Sequence, residues 1–138
     1  MSKYVLDASA LLALLNNEPG AQRVKDILPE SVVCTVNVCE TVGKLVSVGM
    51  SIDDARTSVA LLLPQVIPFD TELAFKTGAL ITDTKKLGLS LRDRACLALA
   101  LMRQNTAVTA ERVWSKLKLD VTIDVIRGNA AALPEPET

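Results

Sequence analysis

The sequence predicts an α/β protein, a three-layer α/β/α sandwich around a mostly parallel central sheet. Short runs of aliphatic residues alternate with amphipathic helical segments along the chain, as in parallel sheets covered by helices. Apolar residues make up 49% of the 138 residues and aromatic residues only 3%, so the core is aliphatic. This length suits a single domain with a sizeable core.

Five short apolar runs have the length and composition of buried strands. They span residues 3–6, 31–36, 65–69, 106–109 and 121–127. Parallel sheets bind their ligands beyond the carboxyl ends of the strands. Residues that directly follow these runs are therefore the first candidates for function.

Apolar residues at helical spacing fill the intervals between the strands. Ser9, Ser51 and Ser90 are the expected N-caps of three helices, and Pro29 and Gly88 are the expected stops of two others. The predicted helices span residues 9–17, 21–28, 37–50, 51–63, 70–88, 90–105 and 110–117.

We expect residues 1–127 to form one domain and residues 128–138, rich in Ala, Pro and Glu, to form a polar and flexible tail. No apolar run is long enough to span a membrane. Asp7 interrupts the first apolar run too early for a signal peptide. We therefore expect a cytoplasmic protein with no membrane attachment.

Composition excludes several classes of catalysis. Histidine is absent, which rules out Ser-His-Asp and Cys-His mechanisms and His-ligated zinc. Cys34, Cys39 and Cys96 form no CxxC pair, and we interpret them as small buried hydrophobic residues. The net charge of −1 shows no global basic field of the kind typical of nucleic-acid binders. An enzyme of this composition needs carboxylates, Lys, Tyr or metal-bound water.

Four acidic residues lie in strongly apolar stretches at the ends of predicted elements. Asp7 follows the first strand, Glu111 follows the strand over 106–109, and Glu40 and Asp93 lie in the first turns of helices. Converging carboxylates repel one another, which raises their pKa values. Mg²⁺ or Mn²⁺ removes this conflict, because both ions prefer oxygen ligands, and either ion supports phosphodiester hydrolysis.

Each acid also has a purely structural interpretation. Asn37-x-x-Glu40 and Ser90-x-x-Asp93 both fit variants of the helix capping box. Asp7 fits an Asx-type turn that bonds its own backbone. A capping acid can also be a metal ligand, so both interpretations stay open.

Two hydroxyl residues and three arginines complete the candidate site. Ser9 and Thr109 each stand two residues from an acid, where a hydroxyl can orient a carboxylate or a metal-bound water. Alternatively they are a helix cap and a strand end. Arg92, Arg94 and Arg112 are candidate contacts to phosphates, or they face water.

The chain resembles the PIN-domain ribonucleases, and within them the toxin component of bacterial VapBC toxin–antitoxin modules. The resemblance extends over nearly the whole chain, to about Arg127. Four stretches carry it: YVLDASALLALL, VCETVGKL, LSLRDRACLALA and AVTAERVW.

The resemblance implies that Asp7, Glu40 and Asp93 bind Mg²⁺ or Mn²⁺ for endonucleolytic cleavage of single-stranded RNA, often in tRNA or rRNA. It also implies a homodimer and a small cognate antitoxin that covers the acidic pocket. Two positions depart from the family. Glu111 stands where the family usually has Asp, so we place it after the other three ligands. Arg92 stands where a small residue is common.

Two other functions remain open. A PIN-like module that is catalytically weak or inactive would bind RNA or a protein partner without cutting. An aspartyl-phosphate enzyme of haloacid-dehalogenase type would use Asp7 as a nucleophile. That chemistry usually needs a second Asp two positions later, where this chain has Ser9.

Overall fold

A five-stranded, all-parallel sheet forms the centre of the molecule, in the order β3-β2-β1-β4-β5. The computed structural model describes residues 1–127, so the predicted tail over 128–138 lies outside the described residues. The predicted α/β sandwich is confirmed. The strands are β1 (Tyr4–Leu6), β2 (Ser31–Cys34), β3 (Gln65–Ile67), β4 (Thr106–Thr109) and β5 (Ile123–Val125).

Helices cover both faces of this sheet within the described residues. Three further segments, Leu28–Glu30, Lys85–Leu87 and Arg112–Lys116, form short 3₁₀ turns. The α-helices are α1 (Ala8–Leu15), α2 (Ala21–Ile27), α3 (Thr35–Ser47), α4 (Ile52–Leu62), α5 (Thr71–Ala79), α6 (Ile81–Thr84) and α7 (Leu91–Arg103).

Alternation along the strands divides the core into two main layers, because successive side chains point to opposite faces. Val5 packs under α7 and α5 together with Trp114. Leu6 packs on the other face, under α1 and α2. A third, smaller cluster joins α3 to α4 through Leu45 and Val59.

Strand register brings the predicted acids to one edge of the sheet. Leu6, at the end of β1, pairs with Val33 of β2 and Val108 of β4. Helices α1 and α3 begin where β1 and β2 end. Helix α7 runs back toward the start of β4, so its first turn lies at the same edge. The carboxyl edge therefore gathers the beginnings of three helices around the central strand.

Several predicted helix bounds are wrong, for local reasons. Helix α3 begins at Thr35 rather than Asn37, and its N-cap, Cys34, contributes no side-chain hydrogen bond. Residues 70–88 form α5, α6 and a 3₁₀ turn instead of one helix. The Thr84 hydroxyl donates to the Leu80 carbonyl, and such side-chain bonds compete with regular helix. Gly88 ends the segment in the left-handed region, as predicted.

The last strand is fastened to the loop between α1 and α2. Gly20 has a φ of +96°, and a Cβ there would lie 2.8 Å from the Ile126 carbonyl oxygen. Only glycine combines this conformation with this approach. Arg23 pairs with Asp124 at 2.8 Å nearby. No helix within residues 1–127 is long and apolar enough to cross a bilayer.

Candidate active site

Asp7 is a buried carboxylate held by neutral donors. Its side chain is 3% exposed and caps α1, where Oδ1 accepts the Ala10 N–H at 2.9 Å. Ser9 donates its hydroxyl to the same oxygen at 2.7 Å, and Thr109 donates to Oδ2 at 2.6 Å. The N-cap of α1 is therefore Asp7, and the prediction of Ser9 as the cap is wrong.

The two hydroxyls belong to a network that joins β4 to α1. Ser9 Oγ and Thr109 Oγ1 lie 3.2 Å apart. The backbone N–H of Ala110 donates to Ser9, and that of Glu111 donates to Thr109. Each hydroxyl accepts from the backbone and donates to Asp7, so its proton is directed at the carboxylate.

Burial raises the pKa of Asp7 from 3.8 to about 7, although the hydrogen bonds from Thr109, Ala10 and Ser9 act in the opposite direction. The negative charge of Asp93 raises it further. No arginine or lysine within residues 1–127 forms an ion pair with Asp7. Near neutral pH this carboxylate is balanced between taking up a proton and accepting a cation.

Glu40 is neutralised differently. It lies on α3 with its side chain 16% exposed, and its Oε2 accepts from Arg92 Nε at 2.9 Å. Partial burial raises the pKa of Glu40, the Arg92 guanidinium lowers it, and the charge of Asp93 raises it. This acid therefore already has a cationic partner, supplied by the first turn of α7.

Asp93 forms the predicted capping box of α7. Ser90 Oγ accepts the Asp93 N–H, and Asp93 Oδ2 accepts the Ser90 N–H at 2.9 Å. The other proposed capping box is wrong, because Asn37 lies inside α3 and caps nothing. Asn37 instead donates from Nδ2 to the Arg92 carbonyl at 3.2 Å, which joins α3 to α7.

Cys96 shows that three of the acids share one neighbourhood. Its buried thiol donates to the Val5 carbonyl beneath the end of β1. Burial raises the pKa of this thiol most, and the charges of Asp7, Asp93 and Glu40 each raise it further. The structure thus brings Asp93 within electrostatic range of both Asp7 and Glu40.

Glu111 is the most exposed of the four acids. Its side chain is exposed, whereas Asp7 is buried and Glu40 and Asp93 are partly buried. Within residues 1–127, its backbone N–H and not its carboxylate takes part in the Asp7 network, where it donates to Thr109.

The family model described as PIN domain matches residues 4–119, which include all four acids. The chain belongs to the PIN-domain family. The resemblance read from the sequence motifs is confirmed. No curated protein sequence matches this one.

Solved PIN-domain toxins share this fold. A chain of the DNA-bound VapBC from Salmonella typhimurium aligns with a TM-score of 0.69 at 17% identity, over 90% of this chain and 98% of that one. VapC20 of Mycobacterium tuberculosis, a sarcin-ricin loop cleaving toxin, aligns with a TM-score of 0.69 at 14% identity, over 87% and 99%. A chain of a toxin–antitoxin complex from Klebsiella pneumoniae aligns with a TM-score of 0.63 at 16% identity, over 82% of this chain and 91% of that one. Identities this low show a common fold only.

The acids of this PIN domain fit a divalent ion by their chemistry. Carboxylate oxygens are the ligands that Mg²⁺ and Mn²⁺ prefer, and Asp7 is a buried charge that lacks a cationic partner within residues 1–127. In the described part of the chain, however, no three acids stand close enough together to hold an ion. Glu40 is turned toward Arg92 instead. An ion bound by Asp7, Glu40 and Asp93 together would therefore require a side-chain movement.

The candidate RNA contacts of the PIN domain differ in availability. Arg112 is exposed, and Arg92 is half exposed beside Glu40. Arg94 donates to the Leu89 carbonyl at 3.1 Å and is partly buried. Cys39 is exposed beside Glu40, so the interpretation of all three cysteines as buried is wrong.

Sequence reasoning missed two partners in this PIN domain. Asn37 was interpreted only as a helix cap, and Arg92 only as a residue facing substrate or solvent. Both connect α3 to α7, elements that are distant in sequence. The sequence does show Arg92 beside Asp93, and Asn37 one turn before Glu40. Neither position specifies which partner the side chain contacts.

Proposed function

We propose that this PIN domain is a metal-dependent endoribonuclease toxin that cleaves single-stranded regions of RNA. The observation that carries the proposal is Asp7, a carboxylate buried at the carboxyl edge, held only by neutral donors and near two further acids. Such a group is costly to bury without a compensating charge. A hard divalent cation supplies that charge and agrees with the absence of histidine.

Asp7, Glu40 and Asp93 are the proposed ligands of Mg²⁺ or Mn²⁺. When bound, the ion supplies an activated water and neutralises charge on the leaving oxygen. Ser9 and Thr109 orient the Asp7 carboxylate, because each donates to a different oxygen of it. Glu111, whose side chain is exposed, is the last-placed of the proposed ligands and acts through a bridging water.

Two arginines are the proposed contacts to the RNA backbone. Arg92 pairs with Glu40 and its side chain is half exposed. Arg112 directly follows Glu111 in the chain and is exposed. A guanidinium binds phosphate through paired hydrogen bonds. Arg94 is the weaker candidate, since it already donates to the Leu89 carbonyl. These arginines offset the repulsion between the carboxylates and the phosphates.

The partners are proposed from the structural neighbours. Several of these come from complexes described as toxin–antitoxin or VapBC. We propose that a small cognate antitoxin covers the acidic edge, that the toxin is a homodimer, and that it acts in the cytoplasm. Light scattering of the purified protein, alone and with the antitoxin, would test the assembly.

The decisive experiment is cleavage of total RNA by purified protein with Mg²⁺, with Mn²⁺ and with chelator. We expect metal-dependent cuts that leave a 5′-phosphate and a 3′-hydroxyl. Asp7→Asn should lower cleavage at least about 100-fold, because it removes the charge at nearly constant shape. A 2′,3′-cyclic phosphate would contradict hydrolysis by an activated water.

Asp70→Asn is the matched control. Asp70 also follows a strand and caps a helix, with Oδ1 accepting the Leu73 N–H at 2.9 Å. Asn is an equally good N-cap, so both variants should keep their helices. Cleavage should survive in Asp70→Asn. No cleavage with any metal, together with calorimetry that detects no bound ion, would favour the alternative of an inactive PIN-like module that binds RNA or protein.

A further inference from the structure

The ion pair between Arg92 and Glu40 places an internal cation at the edge of the proposed metal site. Arg92 Nε lies 2.9 Å from Glu40 Oε2. Both residues line a groove of about 400 Å³ that continues along α3 past Gly43 and Lys44. One of the three proposed ligands is therefore already occupied by a charge from the same chain.

The backbone of Arg92 is fixed while its side chain is free to move. Its carbonyl accepts from the buried Asn37, and it lies in the first turn of α7 beside the Asp93 capping box. The side chain itself is 50% exposed. The guanidinium can leave Glu40 without any change in the helices, and it then faces the groove and solvent.

The arrangement of the acids agrees with a closed state of the site. Glu40 is within electrostatic range of Asp93, yet within residues 1–127 no three acids are close enough to hold an ion. An ion that recruits Glu40 must compete with the Arg92 guanidinium for the charge of this carboxylate. The released guanidinium then lies beside three carboxylates that the ion has neutralised, where the backbone phosphate of RNA is a suitable new partner.

We propose that Arg92 competes with the divalent ion for Glu40, so that ion binding releases the Arg92 guanidinium for an RNA phosphate. This inference rests on the proposed function. It assigns Arg92 two alternative partners, a carboxylate in the closed state and a phosphate in the loaded state. Arg92 thereby couples metal binding to RNA binding.

Titration with Mn²⁺ in a calorimeter, without RNA, tests the proposed competition between Arg92 and the ion. Arg92→Gln should bind Mn²⁺ roughly two- to fivefold more tightly than the unaltered protein, the range expected from a partly exposed ion pair. Arg56→Gln is the control for net charge. Arg56 is exposed on α4, outside the proposed site, and this variant should match the unaltered protein.

The outcomes separate this inference from the proposed function. Equal affinities in Arg92→Gln and Arg56→Gln, with Mn²⁺ bound by both, would overturn the competition and leave the nuclease proposal standing. No Mn²⁺ binding by any of the three proteins would overturn both. Circular dichroism of each variant establishes that the fold is retained.

Anisotropy of a fluorescein-labelled oligouridylate tests whether ion binding makes Arg92 available to RNA. Ca²⁺ takes the place of Mg²⁺ to suppress cleavage. Ca²⁺ should increase RNA affinity in the unaltered protein and in Arg56→Gln, and much less in Arg92→Gln. An equal increase in all three proteins, or no increase in the unaltered protein, would overturn the coupling.

Discussion

Asp7 and Glu40 lie in one neighbourhood but are stabilised in opposite ways. Asp7, between β1, α1 and β4, is held by two hydroxyls and one N–H and has no cation. Glu40, between α3 and α7, has the Arg92 guanidinium. The difference shows that the half of the proposed site around Asp7 is short of positive charge, whereas the half around Glu40 has a counter-ion from the chain itself.

The largest expected effect concerns Asp7, the acid without a cationic partner. Burial raises the pKa of Asp7 to about 7, so the folded protein binds this proton more tightly than the unfolded chain does. The free energy of unfolding should therefore fall as pH rises from about 4 to about 7, by about 4 kcal/mol in total. Urea denaturation in chelator across this range measures the fall.

Asp7→Asn should remove most of this fall and be more stable than the unaltered protein at pH 8. Asp70→Asn should keep it. Parallel stability–pH curves for the unaltered protein and Asp7→Asn would contradict the raised pKa of the buried Asp7 carboxylate. Glu40, whose pKa is also raised, accounts for part of any remaining slope.

Thr109→Val removes one of the donors that hold the Asp7 carboxylate. It deletes the 2.6 Å hydrogen bond to Asp7 and the acceptor of the Glu111 N–H. We expect a stability loss of about 1–3 kcal/mol at pH 8, where Asp7 is charged, and a smaller loss at pH 5. Thermal unfolding at the two pH values measures the difference.

Thr77→Val is the control for Thr109→Val. The Thr77 hydroxyl is equally buried but has no hydrogen-bond partner in the described part of the chain. Its removal should be neutral or stabilising at both pH values. Equal losses in the two variants would mean that the hydroxyl of Thr109 does not specifically support Asp7.

Asn37→Ala tests the other half of the proposed site, around Glu40 and Arg92. It removes the hydrogen bond to the Arg92 carbonyl, so we expect the free energy of unfolding to fall by about 1 kcal/mol. Asn37→Ser should lose as much, since Ser is too short to reach α7. If Ser restored stability fully, the hydrogen bond to the Arg92 carbonyl would not be what Asn37 contributes.

Glu111→Gln should have the smallest effect. The side chain is exposed, and the backbone N–H that supports Thr109 is retained. We expect stability within about 0.5 kcal/mol and cleavage within a few-fold of the unaltered protein. A loss of cleavage as large as that of Asp7→Asn would place Glu111 among the ligands.

The sequence was sufficient for features that depend on neighbours in the chain. Asp7 stood out as the single charge in an apolar run, and Ser90-x-x-Asp93 forms the capping box that its spacing predicts. The strand alternation that positions the carboxyl edge is likewise local. These parts of the fold and site follow from spacing alone.

The remaining features depend on contacts between distant segments. Nothing near Arg92 in the sequence identifies Glu40 as its partner, and nothing near Asn37 identifies the Arg92 carbonyl. The division of the helix over 70–88 accompanies the buried Thr84 hydroxyl, which donates to the Leu80 carbonyl, and the linear pattern does not show that Thr84 is buried. Tertiary packing decided these points against local preference.

The position of β1 has a consequence for synthesis on the ribosome. The first strand of the chain is the middle of the sheet, and both β4 and the Thr109 hydroxyl lie about a hundred residues later. At ordinary translation rates the 102 positions between Asp7 and Thr109 take roughly 5–20 s to emerge. During that interval one edge of β1 stays open to wrong pairing. The acidic edge is complete only once Thr109 has emerged, so shorter nascent chains lack the hydrogen bond that holds Asp7 Oδ2.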